Sequence, residues 1–361
     1  MKNRRTAMRF LHGVALVTGL CTSFAFSGGL AHAGEGKISG LLFGDAYWFA
    51  EHHNNVDVEG QNGFWLRRIY LTYDYAFDEA FTGRVRFEMA SPGSFPLKGG
   101  KMEPFVKDAY LRWKLDRHNL FFGLTSTPTW DVVEKSWGYR PVEKSPLDLH
   151  KGFGSSRDTG VAIKGYFDEG NKWGYHLLAG NGSGTSAETN KNKKIYLALT
   201  ATPSKRWLFQ VYGDFENNSG KAPSTAATGT DAYTLQAFAF FGGERGRLGL
   251  LAAQQTRELG PGMAELELEI YSLFGVWNFS EKFAGYARVD QMSEPNPEGD
   301  KISYLPMNPN AKSTFGLIGL DFEVGNGIHI LPNVEAVSYS EVGGVTPDDD
   351  LIPRVTLFYT F

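Results

Sequence analysis

Between Trp65 and Glu88 the chain reads WLRRIYLTYDYAFDEAFTGRVRFE, two alternating runs joined by a tight turn at Ala76 to Ala80. Arg67, Ile69, Leu71, Tyr73 and Tyr75 fall on one face of the first run, and Arg68, Tyr70, Thr72 and Asp74 on the other. In the second run Thr82, Arg84, Arg86 and Glu88 alternate with Gly83, Val85, Phe87 and Met89. Side chains of a strand point to opposite faces in turn, so this pattern predicts a ribbon with one apolar and one densely charged surface. A soluble sandwich with its charged face in water shares the local pattern, so the rest of the chain has to discriminate.

Similar alternation predicts strands over approximately 37–50, 63–76, 80–91, 104–116, 118–126, 158–168, 171–180, 193–202, 205–217, 231–242, 245–257, 266–280, 282–292, 312–325, 327–340 and 350–361. Their connections alternate in length. Short turns fall at 77–79, around Arg117, at 169–170, 203–204 and 243–244, at Glu281 and at Asn326. Longer polar loops span 51–62, 92–103, 126–157, 181–192, 218–230, 258–265, 293–311 and 341–349. Short turns at one rim and long loops at the other predict an all-β fold, a transmembrane up-and-down antiparallel β-barrel of 16 strands with both termini on the short-turn side. Ala109, Leu111, Trp113 and Leu115 oppose Asp108, Tyr110, Arg112, Lys114 and Asp116; Phe283, Gly285, Ala287 and Val289 oppose Ala284, Tyr286, Arg288 and Asp290. Ile195, Leu197, Leu199 and Ala201 likewise oppose Lys194, Tyr196, Ala198 and Thr200, whereas Ala232 to Phe241 is apolar throughout and its facing is ambiguous. The last strand alternates to a terminal aromatic, Phe361, which resembles the signal read by the outer-membrane barrel assembly machinery.

The N-terminus sets the compartment. Lys2, Arg4, Arg5 and Arg9 precede an apolar run, Val14 to Leu20, and an Ala31-His32-Ala33 cleavage site. Residues 1–33 therefore read as a signal peptide and 34–361 as a single outer-membrane barrel domain, the apolar run being too short for a spanning helix. The only cysteine, Cys21, lies in the leader, so the mature chain has no disulfide and no thiolate chemistry. The chain carries a formal charge of −4, and the four basic leader residues leave −8 after cleavage, which argues against a nucleic-acid partner. Mean hydropathy is low, −0.29, yet aromatics make up 14% and glycines number 43, as suits a barrel in which only alternate residues meet lipid.

The longest interval without a strand, Ser126 to Arg157, holds Trp130, Asp131, Glu134, Lys135, Trp137, Tyr139, Arg140, Glu143, Lys144, Asp148, His150 and Lys151. Loops of this length are uncommon unless functional, and in a wide barrel such a loop can fold inward and constrict the lumen. The alternative is an outward loop packed on the rim or on a neighbouring subunit. Three stretches, FWLRRIYLTYDYAFDEAFTGRVRFE, FVKDAYLRWKLDRHNLFFGLTSTP and SSRDTGVAIKGYF, resemble the phosphate-selective porin O and P family. In that family Arg-Asp-x-Gly opens the strand after the constriction loop, as Arg157, Asp158 and Gly160 do here. The resemblance implies a homotrimeric sixteen-stranded porin with small hydrophilic solutes or anions, phosphate among them, as cargo. It covers roughly the first half of the mature chain well.

The charged phase predicts the pore-lining set Arg68, Arg84, Arg86, Glu88, Asp108, Arg112, Lys114, Lys164, Arg288 and Asp290, with Trp130, Asp131, Glu134, Lys135, Arg140, Glu143 and Lys144 on the constriction loop. An unpaired charge on the lipid face costs about 2–4 kcal/mol at mid-membrane, hence the inward assignment. A row of guanidinium groups favours anions; a salt-bridged lining, with Asp74 among its acids, gives little selectivity, and both readings stand. Arg67 falls in the lipid phase and is expected near the rim, its head reaching for water. Trp48, Trp65, Trp113, Trp173, Trp207 and Trp277 are expected in aromatic girdles at the lipid interfaces. His52 and His53 point to opposite sides if extended, and Asp348 to Asp350 read as a solvated turn, so no metal and no cofactor is expected. Passive diffusion across the Gram-negative outer membrane is the leading function. A barrel lipase or protease lacks a Gly-x-Ser-x-Gly elbow here, and a secreted carbohydrate-binding β-protein would leave membranes without detergent.

Overall fold

The computed structural model describes residues 34–53, 58–90, 101–150, 153–217, 231–259, 264–303 and 305–361. The expected leader and Lys151 lie outside the described residues. Sixteen antiparallel strands close into one barrel, each pairing with its neighbours in sequence and β1 pairing with β16. They are β1 Glu35–Trp48, β2 Asn62–Ala76, β3 Phe81–Ala90, β4 Glu103–Leu115, β5 His118–Ser126, β6 Arg157–Tyr166, β7 Trp173–Gly180 and β8 Lys194–Ser204, followed by β9 Trp207–Glu216, β10 Ala232–Gly243, β11 Gly246–Arg257, β12 Leu266–Ser280, β13 Phe283–Met292, β14 Ser313–Gly325, β15 Ile328–Tyr339 and β16 Asp350–Thr360. Closure removes both sheet edges, as a lipid-exposed sheet requires. The terminal residue takes part in it: Phe361 and Gly40 exchange backbone hydrogen bonds of 3.0 and 2.9 Å.

Alternation places the apolar phase outside. Leu71, Tyr73, Val85, Leu111, Leu197, Val289 and Leu357 are exposed on the outer wall. In the ambiguous β10, Leu235 faces out at 67% exposure and Phe238 faces in at 3%, so its pattern is apolar because both sides are. Trp48, Trp173, Trp207 and Trp277 lie exposed, but Trp65 does not join them: it is buried inside the barrel against Tyr47, ring centroids 6.3 Å apart.

Arg67 is the other departure in this region. The β1–β2 register steps from Phe43↔Arg68 to Gly44↔Leu66, so Arg67 is the extra residue of a β-bulge. The bulge sends Arg67 and Arg68 both inward; Arg67 is fully buried rather than lipid-facing. β4 repeats the device: Arg86 pairs with Asp108 and Phe87 with Val106, which turns Lys107 inward beside Asp108. In both places the sequence reads apolar–charged–charged–apolar, Leu66-Arg67-Arg68-Ile69 and Val106-Lys107-Asp108-Ala109. A three-residue step between outward apolar residues is the signature a strict period of two overlooks.

Candidate functional site: the lumen beside the inward loop

The segment between β5 and β6 folds into the barrel. Helix α1, Pro128–Trp137, opens with proline at its first turn and ends on Gly138, whose φ of +76° suits glycine and whose N–H bonds the Glu134 carbonyl at 2.9 Å. A single turn, α2, Pro146–Leu149, follows. The two ends of the loop are tied together, the Thr127 hydroxyl donating to the Ser155 carbonyl at 2.8 Å and the Thr127 N–H to Ser156 at 3.2 Å.

The loop crosses to the far wall and is fastened there. Trp137 is fully buried, edge-on to Phe274 at 5.2 Å and to Tyr286 at 6.2 Å, while Tyr139 stacks on Tyr286 at 4.0 Å. The Tyr139 hydroxyl donates to Asp321 at 3.1 Å, and burial with that carboxylate beside it raises the phenol's pKa. Trp130 meets Tyr212 edge-on, and Thr129 donates to Gln236. Val133, Val142, Leu147, Leu149 and Phe153 join Leu268, Ile270, Phe315, Leu317 and Leu331 in one apolar cluster. The bore is therefore not wet all round. On this side the loop completes an apolar cluster, burial of apolar surface being worth roughly 25 cal/mol per Å², while toward the short-turn rim Tyr139, Pro141, Arg247, Asp321 and His329 line a recess of about 690 Å³.

An irregular buried segment must find donors for its carbonyls. Three arginines from the wall supply them: Arg67 bonds the carbonyls of Pro141 and Val142, Arg247 that of Trp137, and Arg288 that of Lys144. Each is balanced or covered in turn. Arg67 pairs with Asp45, Arg288 with Asp290, which His150 also reaches at 3.2 Å, and Arg247 lies over the Tyr139 ring. Arg354 spans Glu335 at 2.9 Å and Glu143 at 3.7 Å. Arg288 and Asp290, expected along the bore, are thus buried beneath the loop as anchors, and so is the constriction-loop acid Glu143. Arg140 bridges Glu134 and Asp148 within the loop, Lys144 is half-buried, and Lys135 is exposed. Burial opposes ionisation of Asp148, but Lys144 and Arg140 outweigh it and hold its pKa down.

The near wall, β2 to β6, carries most of the remaining expected residues. Arg84 holds Asp74 through two bonds of 2.6 and 2.9 Å. Arg86 reaches Asp108 at 3.1 Å and Thr72 at 2.8 Å, and Arg157 closes on the same Asp108. Arg68 and Lys107 share Glu88 at 2.9 and 3.1 Å. Lys164 lies 3.0 Å from Asp131 and over the Phe121 ring. Burial of Asp131 opposes its ionisation, yet Lys164, Lys135 and Arg157 prevail and keep its carboxyl well below the ordinary range. Six cations thus share four carboxylates, and among the described residues no salt bridge engages Arg112 or Lys114. Asp74, Arg84, Tyr110, Arg112, Phe121 and Lys164 line a recess of about 300 Å³. Lys107 and Arg247 were not singled out from sequence; the bulge signature would have found the first, and nothing local marks the second.

The Arg-Asp-x-Gly stretch has a physical account. Asp158 accepts from the N–H groups of Thr159 and Gly182 and from the Tyr196 hydroxyl, pinning the loop after β7. A Cβ at Gly160 would stand 2.1 Å from the Ala179 carbonyl oxygen and 2.7 Å from the Cα of Gly180. Gly160→Ala must therefore force β6 and β7 apart, and we expect it to destabilise the folded barrel by about 1–3 kcal/mol in urea titrations in detergent.

Solved structures share this architecture. An anion-selective porin from Comamonas acidovorans superposes with a TM-score of 0.64 at 10% identity, over 91% of this chain and 100% of that one. The outer membrane channel DcaP of Acinetobacter baumannii gives 0.64 at 12% identity, over 91% and 98%. OmpT of Vibrio cholerae, in a trimer form, gives 0.60 at 11%, over 91% and 100%. The chain has the porin fold. No family model and no curated protein sequence matches it, so likeness at this identity speaks for the fold alone.

Proposed function

We propose that the chain is an outer-membrane porin, a passive channel for small hydrophilic solutes that favours anions, exported by residues 1–33 and seated in lipid as a homotrimer. The reading rests on the near-wall imbalance: Arg112, which lines the recess with Arg84 and Lys164, and Lys114 on the same strand have no salt bridge among the described residues. Fixed charges of one sign along a narrow passage raise the local concentration of counter-ions and sort permeants by charge. The salt-bridged majority of the lining moderates that preference without cancelling it. The resemblance to the O and P family supports an oxyanion such as phosphate as permeant, and the anion-selective porin of Comamonas acidovorans, which shares the fold, points the same way. A trimer form of the Vibrio protein supports the assembly. Phe361, seated at the seam, suits recognition of the last strand by the barrel assembly machinery.

Reversal potentials across planar bilayers in a salt gradient test this. The parent should show anion preference, Arg112→Ala with Lys114→Ala should move the potential toward the non-selective value, and Asp74→Asn, which releases Arg84, should move it the other way. A potential indifferent to both changes would remove the selectivity assignment.

A further inference from the structure

At the long-loop rim the chain leaves β1 and pairs once more, Glu51 with Leu351, through backbone bonds of 3.0 and 3.3 Å. This bridge sets His52 and His53 against the first residue of β16, Asp350, which is 297 positions from His53. The two imidazoles do not splay as they would on an extended strand. They stack, ring centroids 4.3 Å apart and planes 27° from parallel, on the same side of the backbone. Asp350 is not a solvated turn residue either; its side chain is fully buried.

His53 Nδ1 lies 3.0 and 3.1 Å from the two Asp350 oxygens, and His52 Nε2 lies 3.9 Å from Oδ1. One ligand atom from each of the three residues falls within 4.8 Å of the others. The carboxylate is oriented from behind, the His53 N–H donating to Oδ1 at 2.9 Å and the Tyr339 hydroxyl to Oδ2. A carboxylate has lone pairs beyond those two bonds, so it can hold an ion while remaining held itself.

Two other His–Asp pairs provide the contrast. His150 meets Asp290, whose charge Arg288 already balances, and His329 meets Asp321 without a second imidazole. Among the described residues no arginine or lysine pairs with Asp350; imidazoles and a phenol surround it. A buried carboxylate with no arginine or lysine beside it is costly, and a bound cation offsets that cost. We propose that His52, His53 and Asp350 bind a borderline divalent metal ion, Zn2+ being the representative, at the rim where the first loop meets the closing seam of the barrel.

Two imidazole nitrogens and one carboxylate suit zinc and not calcium, which takes oxygen ligands. Bonds of about 2.0–2.2 Å place tetrahedral ligands a little over 3 Å apart, so His52 must swing inward by about an ångström while water fills the fourth position. The ion would tie the first loop to β16, adding a link to a seam held by backbone pairing and the Thr356–Asp45 bond. The site is separate from the near-wall passage, so it stands or falls independently of the channel reading.

The test is zinc uptake by the full, tag-free barrel folded in detergent, measured in competition with a chromophoric zinc chelator. Folding of each variant is checked by heat-modifiable migration on gels. We expect one Zn2+ per chain with the parent and with His118→Gln, a histidine remote from the rim. His52→Gln should weaken uptake by about tenfold or more while leaving the Asp350–His53–Tyr339 bonds in place. Asp350→Asn should abolish uptake; should that variant fail to fold, His52→Gln and His53→Gln still decide. No uptake by the parent in the micromolar range, or uptake unchanged in His52→Gln, overturns the site.

Discussion

Replacing Arg67 with leucine is expected to destabilise the barrel by about 3–5 kcal/mol, the usual consequence of leaving a buried charge without its partner. The guanidinium is fully buried between Asp45 and the carbonyls of Pro141 and Val142. Its loss strands the Asp45 carboxylate with the Thr356 hydroxyl as its remaining donor among the described residues. It also removes the side-chain donors of two loop carbonyls. The opposite result has a clear meaning. Were Arg67 in the lipid phase, as strict alternation from Ile69 implies, leucine would stabilise the protein by removing a charge from hydrocarbon. Denaturant titration in detergent, followed by tryptophan fluorescence, reads the sign directly, and Arg68→Leu beside it reports the neighbouring ion pair with Glu88.

Trp137→Ala carries the second large effect. The indole is wedged among Tyr139, Phe274 and Tyr286, and its Nε1–H donates to the Glu143 carbonyl at 3.0 Å. Removing it opens a cavity in a place the wall strands cannot follow, since their positions are fixed by pairing on both sides. The cost of such a truncation is about 3–5 kcal/mol. Much of it falls on the loop alone, because the strands are held independently by their ladders. We expect a loosened α1, a higher and noisier single-channel conductance, and a folded barrel. Excision of Trp130 to Lys151 should raise conductance further. A Trp137→Ala channel with the parent's conductance and noise would mean that the arginine clamps alone position the loop.

Alternation on the outward-facing strands is legible directly in the sequence. Ile195, Leu197 and Leu199, or Val355 and Leu357, are exposed on the outer wall, and their intervening neighbours Lys194, Tyr196, Arg354 and Thr356 turn inward as alternation requires. Inward does not mean lining water, however. Arg288 and Asp290 have the right phase and are nonetheless buried, because the loop lies on them, and its own Glu143 is buried with them. Nothing in the period of β13 records that a segment more than a hundred residues earlier will cover it. The charge pairing is likewise a matter of register: Arg86 faces Asp108 only because β3 and β4 align at that pair before the bulge shifts them.

The sequence by itself determined the strands, their order, the alternation of short turns and long loops, and which phase faces outward. Each of these is a local or a one-dimensional property, enforced by a solvent that rejects charge and unpaired backbone on one side of the sheet. Tertiary structure decided the rest: the two bulges that turn Arg67 and Lys107 inward, the apolar cluster under the loop, the diversion of three arginines to loop carbonyls, and the meeting of His52, His53 and Asp350. Those depend on which strand stands beside which residue and on what fills the interior, and neither is a function of any one segment.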